Sequence, residues 1–143
     1  WRRWYVSGFK WEKRGEELHA YDHIKYAESM DGSSWRREGK ICIDLEEGER
    51  NIARPCVLKS SSGYQMWYSY NSGEGYRIGF ADSRDGVRWT RKDRHIGIQL
   101  SQTGWDSEAM AYPWVFSHEE RNYMLYNGNN FGKEGFGLAV QKA

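Results

Sequence analysis

The chain has 143 residues, a length that fits one domain, and its 21 Lys and Arg residues nearly balance 20 Asp and Glu residues, giving a formal net charge of +1. This balance excludes the strongly basic surface typical of nucleic-acid binding, and no apolar run approaches the roughly 18 residues of a membrane-spanning helix. Aromatic residues make up 16% of the chain, so we expect a core built largely from amphipathic rings.

Ten β-strands are predicted from short aromatic and β-branched runs bounded by glycine and polar turns. In chain order they are 3–7, 22–28, 35–43, 51–58, 65–70, 77–83, 88–98, 109–116, 122–127 and 135–140. Residues 8–21 are predicted to form a long loop that contains Trp11 and His19. No stretch shows a sustained 3.6-residue apolar period, so we predict almost no helix and more than about 40% strand.

Several sequence elements recur in the same order. The segment beginning at Ile24 recurs 54 residues later at Ile78, and the segment around Pro55 recurs 58 residues later around Pro113. A period of this size lies near that of β-propeller blades, which are typically four antiparallel strands. The sequence therefore predicts an all-β partial propeller of about two and a half blades. Residues 1–143 would form a single domain, with a first blade at 1–47 lacking its first strand, a complete blade at 48–103 and a last blade at 104–143 lacking its fourth strand.

The pattern Ser-x-Asp-Gly-x-x-Trp occurs at residues 29–35 and again at 83–89. It resembles the Asp-box of sialidase-type propellers, although it is one residue shorter. We interpret it as a structural turn, in which Asp caps the turn, Gly provides a positive φ and Trp packs between blades.

The order of the motifs A-R-P-x-V, Y-x-M-W-Y-S and I-G-F-A-x-S-x-D-G-x-x-W resembles the five-bladed propellers of the invertase, levansucrase, arabinanase and mannoside-phosphorylase superfamily. The similarity extends to W-D-S-E at 105–108, Y-P at 112–113 and Y-M-L-Y-N-G at 123–128. It implies a partial five-bladed propeller, because a full member is roughly twice as long. It also implies a carbohydrate ligand.

The resemblance implies catalysis by carboxylates around the propeller axis, one as general acid and one as base or nucleophile. The family's transition-state Asp precedes a proline, but this chain has Arg54 and Tyr112 in those positions. The family's nucleophile lies on a strand that this chain lacks, so the usual catalytic set does not transfer. Asp106 and Glu108, next to Trp105, are the candidate catalytic acids.

Polar loops at one end of the blades are expected to gather around the axis. Acids, amides, arginine and tryptophan suit sugar hydroxyls and the apolar faces of pyranose rings. The candidate substrate-binding residues are Arg54, Tyr112, Asn127, Trp105 and Trp11. We expect Arg54, Asp106, Glu108, Tyr112 and Asn127 to lie near the axis on the same face.

No metal or cofactor is expected. His19 and His23 are four residues apart, but this segment is not predicted to be helical, and no third ligand stands out. Cys42 and Cys56 form no disulfide framework and are predicted to be small buried hydrophobic residues. They indicate a reducing compartment, so we predict a cytoplasmic location.

Three functions stay open at this point: a glycosidase-like enzyme, a sugar-binding module without catalysis, and a structural propeller fragment. The first two share a carbohydrate ligand, and none involves nucleic acid or a membrane. Two copies would provide twenty strands, the number in five four-stranded blades, so we expect a homodimer that closes the ring. Alternatively, the sequence is a fragment of a longer chain.

Overall fold

The computed structural model describes residues 1–71 and 73–141, which are 56% strand and 5% helix, so the predicted strand content is confirmed. The strands are β1 (Arg2–Arg14), β2 (Glu17–Glu28), β3 (Ile41–Ile43), β4 (Asn51–Ser60), β5 (Gly63–Asn71), β6 (Tyr76–Ser83), β7 (Thr90–Arg91), β8 (Ala111–His118), β9 (Arg121–Asn127) and β10 (Phe136–Val140). The helical residues are a 3₁₀ turn at Asp93–His95 and one further turn at Asn129–Gly132.

Antiparallel pairing divides the strands into three consecutive groups. The first contains β1 to β3, the second β4 to β7 and the third β8 to β10. A parallel bridge between Asp22 and Asn51 joins the first group to the second. The sheet curls into a half-barrel, and the predicted partial propeller is confirmed. The proposed blade boundaries at residues 47 and 103 stay a prediction.

The segment predicted as a loop at residues 8–21 is instead the outer half of a long hairpin. Strands β1 and β2 pair from Arg2 opposite Glu28 to Arg14 opposite Glu17, with one bulge near Gly8. Side chains also contact each other across this part of the hairpin: the Lys10 ammonium lies 4.7 Å from the centre of the Tyr21 ring on the paired strand. The loop prediction was wrong because it did not account for these side-chain pairs.

The strand predicted at residues 88–98 is also much shorter than expected. After β7 the chain enters the 3₁₀ turn at Asp93–His95. There the Asp93 carboxylate accepts hydrogen bonds that the backbone of a longer strand would otherwise accept. Its Oδ1 accepts hydrogen bonds from the backbone N–H of Phe80 at 2.9 Å and from the Tyr68 hydroxyl at 2.5 Å. These bonds satisfy groups of the second blade without a longer fourth strand.

Two cores hold the three groups together. The first lies between the first and second groups and includes Ile24, Ile52, Met66 and Tyr68, all fully buried. The second lies between the second and third groups and includes Trp67, Ile78, Met110, Val115, Met124 and Tyr126. Both combine aliphatic side chains with the apolar bodies of aromatic rings, as the composition predicted.

In both Ser-x-Asp-Gly turns the Asp side chain caps the turn and the Gly has a positive φ, as we predicted. In the second copy, Asp85 Oδ1 accepts hydrogen bonds from the backbone N–H groups of Val87 and Arg88, both at 2.8 Å. Gly86 has a φ of +78°, and the Trp89 indole N–H donates to its carbonyl at 3.0 Å. Trp4 of the first group donates to the same carbonyl at 2.8 Å, so the turn joins two blades.

These turns predict a loss of stability in acid. Backbone hydrogen bonds hold the pKa of Asp31 and that of Asp85 well below their usual value. A lowered folded pKa contributes stability above the unfolded pKa, near 3.9, and that stability is lost as the pH falls further. Urea unfolding measured at pH 7 and pH 3 should therefore show a smaller acid-induced loss in the Asp85→Asn variant than in the wild type. Equal losses would contradict this assignment.

Both cysteines are free thiols in the structure. Cys42 is buried, and burial raises the pKa of its thiol to about 12, which makes it a poor nucleophile. Cys56 is half-buried and lies between the second and third groups. Among the residues that the structure describes, no helix is long and apolar enough to cross a membrane.

Candidate functional site

The site lies where the first strands of two blades run side by side. Strands β4 and β8 each form the inner edge of their group, and the thiol of Cys56 accepts a hydrogen bond from the backbone N–H of Val115 at 3.2 Å. The backbone N–H of Tyr112 donates to the buried hydroxyl of Ser69 at 2.7 Å. These bonds hold β8 against both β4 and β5.

Both strands have a bulge at the residue before proline. The register shifts between Ala53 and Cys56 in β4 and between Ala111 and Trp114 in β8. Arg54 has a φ of 54° and Tyr112 a φ of 57°, a left-handed conformation that costs roughly 1–3 kcal/mol in a residue other than glycine. Bulges of this kind redirect side chains and are frequent beside active sites.

The redirected side chains meet in a cluster that we call the aromatic site, which consists of Arg54, Tyr76, Tyr112 and Phe131. The Arg54 guanidinium lies 5.0 Å from the centre of the Tyr112 ring. The Tyr112 ring is stacked on Phe131, with centroids 5.8 Å apart and an interplanar angle of 21°. The Tyr76 and Phe131 rings meet edge to face with centroids 5.6 Å apart, so four elements of the chain converge on one surface.

Phe131 is presented to solvent by a strained turn. It has a φ of 57° and its side chain is 59% exposed, although the aromatic ring contacts two tyrosines. The side-chain amide of Asn127 donates to the Phe131 carbonyl at 2.9 Å and holds this turn. Asn127, predicted as a sugar-binding residue, therefore contacts the backbone that positions Phe131.

The electrostatic environment of Tyr76 differs from that of an exposed tyrosine. Burial raises the pKa of Tyr76, and smaller contributions come from Tyr112 and from the Asp22 carboxylate. The Asn51 amide donates to Asp22 Oδ2 at 2.8 Å, so this acid is held at the junction of the first two blades.

Trp105 and Asp106 are directed into the third blade. The Trp105 ring is stacked on Tyr126 with centroids 5.6 Å apart, and it packs against the backbone of Gly128 so closely that a Cβ there would lie 2.5 Å from the ring. Asp106 is 5% exposed and accepts a hydrogen bond from the Tyr126 hydroxyl at 3.1 Å. Both side chains have partners that fit a packing role.

Glu108 and Trp11 are both exposed. The backbone of Glu108 is fixed by Asn129 at 2.9 Å and by Arg77 at 2.9 Å, whereas its carboxylate makes no hydrogen bond or ion pair within residues 1–71 and 73–141. Trp11 is 64% exposed and lies on the projecting half of the hairpin. The structure thus brings Arg54, Tyr112 and Asn127 to one site. Within residues 1–71 and 73–141, no hydrogen bond or aromatic contact of their side chains joins the other four predicted residues to it.

Sequence reasoning missed Tyr76, Phe131 and Asp22. Phe131 lies in the polar segment 127–134, where a lone phenylalanine among amides and glycines was the available signal. Tyr76 and Asp22 each lie in an ordinary strand pattern, and nothing local distinguishes them.

Comparison with known proteins gives relatives of greater length. No family model matches the chain. Two uncharacterized proteins of Mycobacterium tuberculosis are similar: MT1551 of strain CDC 1551 / Oshkosh is 39% identical over 140 residues, and Rv1502 of strain ATCC 25618 / H37Rv is 38% identical over 140 residues. Each alignment covers 97% of this chain and 46% of the relative. The chain therefore spans about half the length of the curated relatives that it matches.

Three solved structures share the fold. A glycoside hydrolase superposes with a TM-score of 0.72 and 22% identity over 99% of this chain and 41% of its own. The structure of a complex of BT0996 with RGII superposes with a TM-score of 0.71 and 22% identity, over 99% of this chain and 41% of its own. Zg3597, a family 117 glycoside hydrolase of Zobellia galactanivorans, superposes with a TM-score of 0.71 and 24% identity. The alignment covers 85% of this chain and 39% of Zg3597. The chain therefore has the fold of about two fifths of a glycoside hydrolase β-propeller.

Proposed function

We propose that this partial propeller is a glycosidase-like protein that binds carbohydrate at the aromatic site. The observation that carries the proposal is Phe131, a bulky side chain that is held exposed in a left-handed turn and stacked on Tyr112. Strain of this kind persists where the surrounding structure enforces it, which is characteristic of ligand-binding positions. The flat apolar face that results is suited to stack against a pyranose ring.

Two further observations support a sugar ligand. The Arg54 guanidinium lies over the Tyr112 ring, so a hydrogen-bonding group borders the apolar face. One of the proteins with the same fold, BT0996, was solved as a complex with RGII. Because the fold alone does not determine function, the aromatic site carries the proposal and the comparison only supports it.

Catalysis is a separate proposal. Glycoside hydrolysis requires two carboxyl groups about 5–5.5 Å apart for retention or roughly 6.5–9.5 Å apart for inversion. Glu108 has an exposed carboxylate, whereas Asp106 is buried against Tyr126. The roles of Glu108 and Asp106 as catalytic acids stay predictions, and a sugar-binding module without catalysis is the alternative.

A glycan-binding screen run beside a hydrolysis screen on aryl glycosides tests the proposal. The Phe131→Ala variant should weaken binding by at least about tenfold, because it removes the exposed stacking surface, and burial of a phenylalanine side chain is worth about 1.5–3 kcal/mol. Phe136→Ala is the matched control, since Phe136 is 75% exposed and makes no aromatic contact with Tyr76 or Tyr112 in the described part of the chain. Equal binding by wild type and Phe131→Ala would contradict the site.

The same screen separates the functional alternatives. Turnover that disappears in Glu108→Gln indicates an enzyme, and binding without turnover indicates a module. A well-folded protein that neither binds nor hydrolyses any glycan would leave the third alternative, a structural fragment of a propeller.

The outward faces of the first and third strand groups are open, and in a complete propeller such faces pack against further blades. Dimerisation and a reducing, cytoplasmic location stay predictions. The pairing restricts the form of a dimer, because each copy contributes three strand groups and two copies would bring six groups, not five, around a ring. A longer chain, of the length of the curated relatives, would supply two whole blades and both missing strands in a five-bladed ring.

A further inference from the structure

Arg54 contrasts with the arginines of this protein that form ion pairs. Arg36, Arg88 and Arg91 each pair with a nearby carboxylate. The exposed Arg54 guanidinium lies over the Tyr112 ring, and no carboxylate of the described residues lies within 4.0 Å of it. Arg54 therefore has no ion-pair partner among the described residues.

The position of this charge is determined by the backbone and not by a flexible surface side chain alone. Arg54 lies between Ala53 and Pro55 with a φ of 54°, and the proline ring restricts the backbone on its other side. The adjacent Tyr112 has the same conformation and contacts both Arg54 and Phe131. The cation and the exposed aromatic face are thus held together through one ring.

We propose that the ligand of the aromatic site is an anionic sugar, in which a pyranose ring carries a carboxylate or a sulfate ester. The inference rests on the proposed carbohydrate-binding function and adds the charge of the ligand. The planar guanidinium of Arg54 presents paired N–H donors that match a carboxylate or sulfate, while the ring of the sugar lies on Phe131. Desolvation beside the aromatic rings strengthens such a contact relative to bulk water.

Calorimetric titration of the full chain with three probes tests the proposal: tetragalacturonate, the neutral β-1,4-galactotetraose, and a sulfated galactan tetrasaccharide. We expect at least about tenfold tighter binding of one anionic probe than of the neutral one at low salt, and a smaller difference at about 0.5 M NaCl, where screening is strong. Preference for the uronate assigns the anionic group as a carboxylate, and preference for the sulfated probe assigns it as a sulfate ester.

The Arg54→Gln variant should bind the anionic probe no more tightly than it binds the neutral probe. Arg88→Gln is the matched control, since Arg88 is 91% exposed on a distant turn, and it should keep the preference. Equal binding of all three probes by the wild type, or a preference that survives in Arg54→Gln, would overturn this inference and leave the carbohydrate site intact. Failure of every probe to bind would overturn the proposed function as well.

Discussion

Replacing Arg91 with alanine is expected to lower the free energy of unfolding by about 3–5 kcal/mol, the cost of leaving buried charges without their partner. The Arg91 guanidinium makes two hydrogen bonds to the Glu49 carboxylate, at 2.7 and 2.8 Å, and a third to Asp93 at 2.6 Å. The side chains of Arg91 and Glu49 are only 13% and 5% exposed. Without the arginine, two carboxylates would face each other in a largely dry environment.

Unfolding in guanidinium chloride measures the change in the free energy of unfolding for three variants: Arg91→Ala, Arg91→Lys and Arg88→Ala. Arg91→Lys should fall between wild type and Arg91→Ala, because an ammonium keeps the charge but loses the paired donors. Arg88→Ala removes a highly exposed ion pair with Asp85 and should cost less than about 1 kcal/mol. If Arg91→Ala does not fold, Glu49→Gln provides the same test. A loss no larger than that of Arg88→Ala would show that the cluster contributes little.

The isolated 143-residue chain is expected to self-associate at micromolar concentration through the outer face of the third strand group. Trp114, Leu125 and Leu138 lie opposite one another across β8, β9 and β10 and are 64%, 37% and 57% exposed. Phe136 and Val140 on the same outer strand are 75% and 46% exposed. A contiguous apolar face of this kind is characteristic of a surface that another element covers.

In the isolated chain, we expect a second copy of the same chain to cover this apolar face. Light scattering should give a mass above that of the monomer, and the double variant Trp114→Glu, Leu138→Lys should be monomeric. Burial of each such side chain contributes about 1.5–3 kcal/mol, so losing both should raise the dissociation constant at least about 100-fold. Met30→Lys is the control, because Met30 is 99% exposed on a turn outside this face. A wild type that is monomeric at about 100 µM would contradict the prediction.

Local patterns were sufficient to predict most of the strands. The first three strands of the second blade, and all three of the third, were placed to within about two residues, because aromatic alternation and flanking glycines are local properties. The fourth strands of the first two blades were predicted poorly, at 35–43 where the structure has Ile41–Ile43 and at 88–98 where it has Thr90–Arg91. In the second blade the Asp93 side chain replaces backbone pairing, and such a replacement depends on contacts with Tyr68 and Phe80 that are distant in sequence.

The candidate site shows the same division. The repeated residue-proline pairs identified Arg54 and Tyr112 as special positions, and the structure shows that their backbones are unusual and that their side chains meet. Phe131 and Tyr76 join them because the start of β6 and the turn after β9 meet at the inner edges of two blades. Asp106 was indistinguishable by sequence from an exposed acid, and its burial against Tyr126 results from the packing of the third blade.

The β class and the turns follow from the amino-acid sequence alone, since each depends on residues a few positions apart, and the repeat follows from comparing such local segments along the chain. The tertiary structure decided which side chains are exposed together, which carboxylates are buried and which cation lacks a partner. Those properties depend on contacts between residues far apart in the chain, such as Arg54 with Tyr112 and Tyr76 with Phe131. The chemistry of the aromatic site therefore follows from blade packing, because strain and burial exist only once the blades are assembled.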